Sequence, residues 1–121
     1  MRVIKTFMIS GTQLYGSNTI GEIIGILPDV FNKFDIECSC DYPAITFRFD
    51  LYASDIVDTI SPDAVIYVLN KIREFVPFDA IHVGLTYTDF DNGVTDSGIL
   101  TFQISPYTCN IDEIVYSAIN D

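Results

Sequence analysis

Nucleophilic catalysis needs a Ser or Cys that can be activated and a base within reach of it. The chain offers one histidine, His82, and three cysteines, Cys38, Cys40 and Cys109. His82 falls on the polar side of an alternating stretch, beside Gly84 and Thr86. There is no Gly-x-Ser-x-Gly turn, and neither Cys38 nor Cys40 has a basic neighbour or helix start to hold a thiolate. These residues argue against a Ser/His or Cys/His enzyme, and no catalytic residue is expected. The same side chains could be imagined around zinc. Structural zinc sites, however, space their cysteines by two to four residues on a turn, whereas one residue separates Cys38 from Cys40 on a strand-like stretch. Both cysteines read instead as small buried hydrophobes, and no metal or cofactor is expected.

Two further patterns have a familiar chemistry in outline. Asp89, Asp91 and Asp96 surround Asn92-Gly93, as acids do in a calcium loop. An EF-hand counted from Asp89 needs Gly at the sixth position and Glu at the twelfth, but Gly93 comes one position early and Leu100 stands twelfth. A hairpin tip shaped by Asn-Gly accounts for the same residues. Gly11, Gly16 and Gly21 flank a loop entering a helix, where phosphate could sit, yet neither Gly-Lys-Ser/Thr nor Gly-x-Gly-x-x-Gly occurs. Ser17, Asn18 and Thr19 then read as capping residues, and Asp55 with Asp58 as a solvated helix face.

Composition points to the surface rather than to a pocket. The 121 residues carry 17 acidic and 6 basic side chains, a net charge of −11, and the imbalance comes mainly from missing Lys and Arg. Direct binding to nucleic-acid phosphate or to an anionic membrane is therefore not expected, since both need clustered bases. Hydrophobic residues make up 49%, enough for a core and too many for disorder. Nine Phe and seven Tyr, with no Trp, exceed what one small core requires. Tyr15, Tyr42, Tyr52, Tyr67, Tyr107 and Tyr116 cannot all be interior, and Tyr favours contact surfaces. An odd cysteine count excludes a complete disulfide framework. No secretory signal or membrane span is evident, so the expected setting is host cytoplasm or a virion, not the exterior.

The elements that would position these residues follow from hydrophobic period. Residues 2–9 read as a central strand, apolar on both faces. Thr19 and Glu22 form a capping box before Ile20, Ile23, Ile24, Leu27, Phe31 and Phe34, a helical stripe that Pro28 should kink or restart. Ile36, Cys38 and Cys40 alternate with polar residues, turn at Tyr42-Pro43, and lead to a strand with Ile45, Phe47, Phe49 and Leu51 on one face. Ser54 reads as the cap of a short helical turn. Ser61-Pro62-Asp63 starts a second helix that stops before Pro77. Ile81, Val83, Leu85 and Tyr87, then Leu100, Phe102 and Ile104, form a hairpin around Asn92-Gly93. Asn110 caps a last helix with Ile111, Ile114, Val115, Ala118 and Ile119 inward. The order β-α-β-β-α-β-β-α predicts one α+β domain over 1–121. Its expected form is an antiparallel sheet with helices on one face: a ferredoxin-like βαββαβ core plus a C-terminal strand and helix.

The helix TIGEIIGILPDVFNKF leading into YPAITFRF, with the late hairpin IHVGLTYTDFDNGVTDSGILTFQIS, resembles small phage tail-terminator or tail-completion proteins. The resemblance departs after Tyr52, where a helix rather than another strand follows. It implies a structural protein that assembles as a ring, whose acidic lining would not trap passing DNA. The expected function is thus a non-enzymatic assembly component of a phage particle, of tail-terminator or neck type. It would be a homo-oligomer or bind a protein partner, with Asp89, Phe90, Asp91, Asp96, Tyr42, Tyr52 and Tyr107 as its contact residues. The alternative is a small acidic inhibitor, of the kind that blocks CRISPR or restriction enzymes, filling the basic groove of a host defence protein. There Asp89, Asp91 and Asp96, with Asp50, Asp55 and Asp58, would stand in for phosphates.

Overall fold

The computed structural model describes residues 2–14, 19–41, 44–53, 58–75, 80–91 and 93–120. Strand β1 (Arg2–Leu14) is followed by helix α1 (Thr19–Ile26), β2 (Lys33–Asp41) and β3 (Ala44–Tyr52). Helix α2 (Pro62–Phe75), β4 (Ile81–Asp91), β5 (Val94–Ile104) and α3 (Ile111–Asn120) complete the chain. The strands make one antiparallel sheet of five in the order β2-β3-β1-β4-β5. The fold is α+β, with three helices among the described residues.

Strand alternation sorts the sheet into two faces. Across β1, β3 and β4, Phe7 pairs with Leu51 and Leu85, and Ile9 with Phe49 and Val83. These side chains are buried in one cluster with Ile23 of α1, Val65, Val68, Leu69 and Ile72 of α2, and Ile111, Val115 and Ile119 of α3. All three helices therefore cover one face. A register shift between Ile4 and Thr6 makes Lys5 a bulge. The extra residue lets Ile4 and Phe7, three apart, both face the core opposite Tyr87 and Leu85.

Helix ends follow their local chemistry. Ser61 Oγ accepts the Asp63 amide at 3.2 Å, and Pro62 occupies the first position of α2, as expected. The Asn110 carbonyl accepts the Ile114 amide at 3.1 Å at the start of α3. Helix α1 is shorter than its stripe predicts. It ends at Ile26, before Pro28; Phe31 is buried from a loop and Phe34 belongs to β2. A proline two positions beyond Ile26 cannot donate to the helix, and its ring clashes with the preceding turn. Strand β1 is longer than predicted, because β3 supplies a ladder out to Leu14.

Two other expectations are corrected. Cys38 and Cys40 are exposed, as is Cys109. Both strand cysteines lie on the helix side of the sheet, opposite Phe47 and Ile45, but on edge strand β2, where the helix layer leaves even Ile36 38% exposed. Asp58 is not on a helix; it has φ 55°, a left-handed conformation that Asp tolerates, just before the Ile4–Ile60 bridge. Ser54 and Asp55 lie outside the described residues. No described helix is long and apolar enough to cross a membrane.

Candidate interaction surface

The β4–β5 hairpin brings part of the expected acidic cluster together. Asp89 pairs directly with Asp96, Phe90 with Thr95, and Asp91 with Val94. Gly93, at φ 78°, makes the turn in the left-handed region open to glycine. Alternation places Asp89 and Asp96 on the helix side and Phe90 on the opposite side. Phe90 is 56% exposed, and Val94 and Ile99 are exposed to a similar degree.

Arg2 modifies this cluster. It is the register partner of Asp89 on β1, its guanidinium stacks 4.6 Å from the centre of the Tyr87 ring, and it donates to the Ala118 carbonyl of α3 at 2.8 Å. A cation thus stands at the inner end of the acidic pair. The opposed carboxylates therefore have a neighbour of opposite sign on one side and solvent on the other.

The expected tyrosines disperse. Tyr107 is 90% exposed in the turn between β5 and α3. Tyr52 ends β3 on the far side of the sheet from the helices, half-buried, donating to Asp35 at 3.3 Å with Lys33 over its ring. Burial and the Asp35 carboxylate push its phenol up. Tyr42 lies outside the described residues. Tyr67 and Tyr116 are exposed, and Tyr116 donates to Asp63 at 2.5 Å, joining α3 to α2.

The open face is mostly polar. Thr6 and Thr86 share a hydroxyl hydrogen bond, His82 is exposed, and Arg48 donates to Asp50, which holds its guanidinium pKa above the ordinary value. A hollow of about 260 Å³ beside it gathers Lys5, Lys33, Tyr52 and Asp58, with Lys5 and Asp58 3.5 Å apart. Among the described residues no three His, Cys, Asp or Glu side chains meet as a metal site. On the helix side, a groove of about 420 Å³ runs between β5 and α3, floored by Leu100, Phe102 and Ile114.

Sequence reasoning missed Arg2, Val94 and Ile99. The signal for Ile99 was available. Once Leu100, Phe102 and Ile104 face inward, alternation turns Ile99 outward, where an isoleucine has no core to enter. No known protein family, curated protein or solved structure matches the chain.

Proposed function

We propose that this protein is a non-enzymatic assembly component, of the tail-terminator or neck kind in a phage particle, and that it acts through the β4–β5 hairpin. The observation that carries this reading is the concentration of uncovered apolar side chains, Phe90, Val94 and Ile99, on one long edge hairpin. Phe90 and Ile99 face the open side and Val94 the helix side, so both faces of the hairpin carry uncovered apolar side chains of the kind found at contact sites. Strand β3 lies between β2 and β1, as in a split βαβ unit, which supports a ferredoxin-like core; β5 and α3 are additions that build the hairpin edge.

The test is the mass in solution by size-exclusion chromatography with light scattering, at low and high salt. A defined multiple of 13.6 kDa that survives high salt is expected. A monomer at both salts that also binds no particle protein overturns the proposal.

The direct opposition of Asp89 and Asp96 favours a second reading, the acidic inhibitor of a basic nucleic-acid groove. It requires binding to a nucleic-acid enzyme that weakens steeply with salt and is lost in Asp89→Asn/Asp96→Asn. Salt-insensitive association excludes it.

A further inference from the structure

The two edges of the sheet differ in how they are protected. Edge strands are normally kept apart by charges, Pro or bulges. Strand β2 carries Lys33, Asp35, Glu37 and Asp41. Strand β5 has no Pro, Lys or Arg, no bulge along its ladder with β4, and Asp96 as its single charge. It runs eleven residues, and no described strand pairs with its outer side.

Only two residues separate Asp91 from Val94, so those two point their backbone groups at each other. By alternation Thr95, Ser97, Ile99, Thr101 and Gln103 direct their N–H and C=O groups outward. None of the five is charged, and their side chains share the open face. In a chain of net charge −11, an edge with a single charge, turned to the helix side, is where like copies can approach.

We propose that β5 pairs antiparallel with β5 of a second copy about a two-fold axis at Ile99, joining the two sheets into one. This rests on the assembly reading and names its partner. The register is self-complementary. Ile99 meets its own counterpart on the open face, flanked by Ser97 with Thr101 and Thr95 with Gln103. On the helix side Leu100 lies over Gly98, and Val94, 60% exposed in one copy, packs beside the buried Ile104 of the other. The two Asp96 side chains fall opposite Phe102, at opposite ends of the junction. The β5–α3 grooves of the two copies then adjoin across the axis.

The experiment uses the full chain with Cys38, Cys40 and Cys109 replaced by Ser. Ile99→Cys should give a disulfide dimer on mild oxidation, because directly opposed residues lie about 5.5 Å apart at Cα. Ser97→Cys alone should not. Thr101→Pro removes an outward N–H and no bond to β4, so it should give a folded monomer by light scattering and circular dichroism. In the wild type, hydrogen exchange should protect the amides of Thr95, Ser97, Ile99, Thr101 and Gln103. An oligomer whose mass is unchanged by Thr101→Pro overturns β5 pairing and leaves the assembly reading standing. A wild type that is monomeric with fast-exchanging β5 amides, yet binds a particle protein, does the same.

Discussion

Single side chains tie distant parts of this molecule together through polar contacts at its surface. Tyr116 illustrates the kind. Its hydrogen bond to Asp63 raises the phenol above its ordinary value, with desolvation and the carboxylate's charge adding to the effect. A group whose pKa is raised by folding contributes stability that is fully present below the unfolded value and is lost as pH rises through the folded one. Stability should therefore fall above about pH 10, and Tyr116→Phe should flatten that decline. Denaturation midpoints of the two proteins across the alkaline range test this; parallel curves would remove Tyr116 from the account. Arg2 works similarly on a larger scale, touching β4 through Tyr87 and α3 through Ala118. Its role was illegible in the sequence, because nothing local announces that the second residue will lie beside Asp89.

At the scale of elements, the hairpin of β4 and β5 contains a pair that fixes its own register. Gly98 sits opposite Tyr87, and a Cβ at Gly98 would lie 2.6 Å from the Tyr87 hydroxyl. The ring cannot simply swing aside without leaving Arg2. Gly98→Ala should destabilise the fold by about 1–3 kcal/mol. Combined with Tyr87→Ala, it should cost clearly less than the sum of the two single changes, as residues in contact do. Chemical denaturation of the four proteins gives the answer; additive losses would refute the clash. The hairpins and helices α2 and α3 were legible because alternation, Asn-Gly, Ser-Pro-Asp and Asn110 are local signals. Helix α1 was overextended because Phe31 and Phe34 keep helical spacing by coincidence, past a proline that outweighs it. The faces of Cys38 and Cys40 were read correctly and their exposure was not. Period assigns a residue to a face; only tertiary packing decides whether a helix covers it.

For the molecule as a whole, charge and apolar surface oppose each other. A net charge of −11 on one small domain repels itself, and the few cations are engaged locally, Lys5 with Asp58 and Arg48 with Asp50. Raising salt from about 0.05 M to about 0.5 M shortens the screening length several-fold. The melting temperature should then rise, and the assembled mass should hold or increase. A melting temperature that falls with salt would mean that local ion pairs outweigh the general repulsion.

Strand order has a last consequence, for the timing of synthesis. Strand β1 leads the chain but lies at the centre of the sheet, between β3 and β4. As the chain emerges from a ribosome, β2 and β3 can close their hairpin at once, while β1 waits with one side open until Ile81–Asp91 has been made. Contacts so distant in sequence fold slowly, and an apolar strand held open is where nascent chains stick to one another. A ribosome-bound chain halted before residue 81 should therefore recruit chaperones that the full-length chain has already shed.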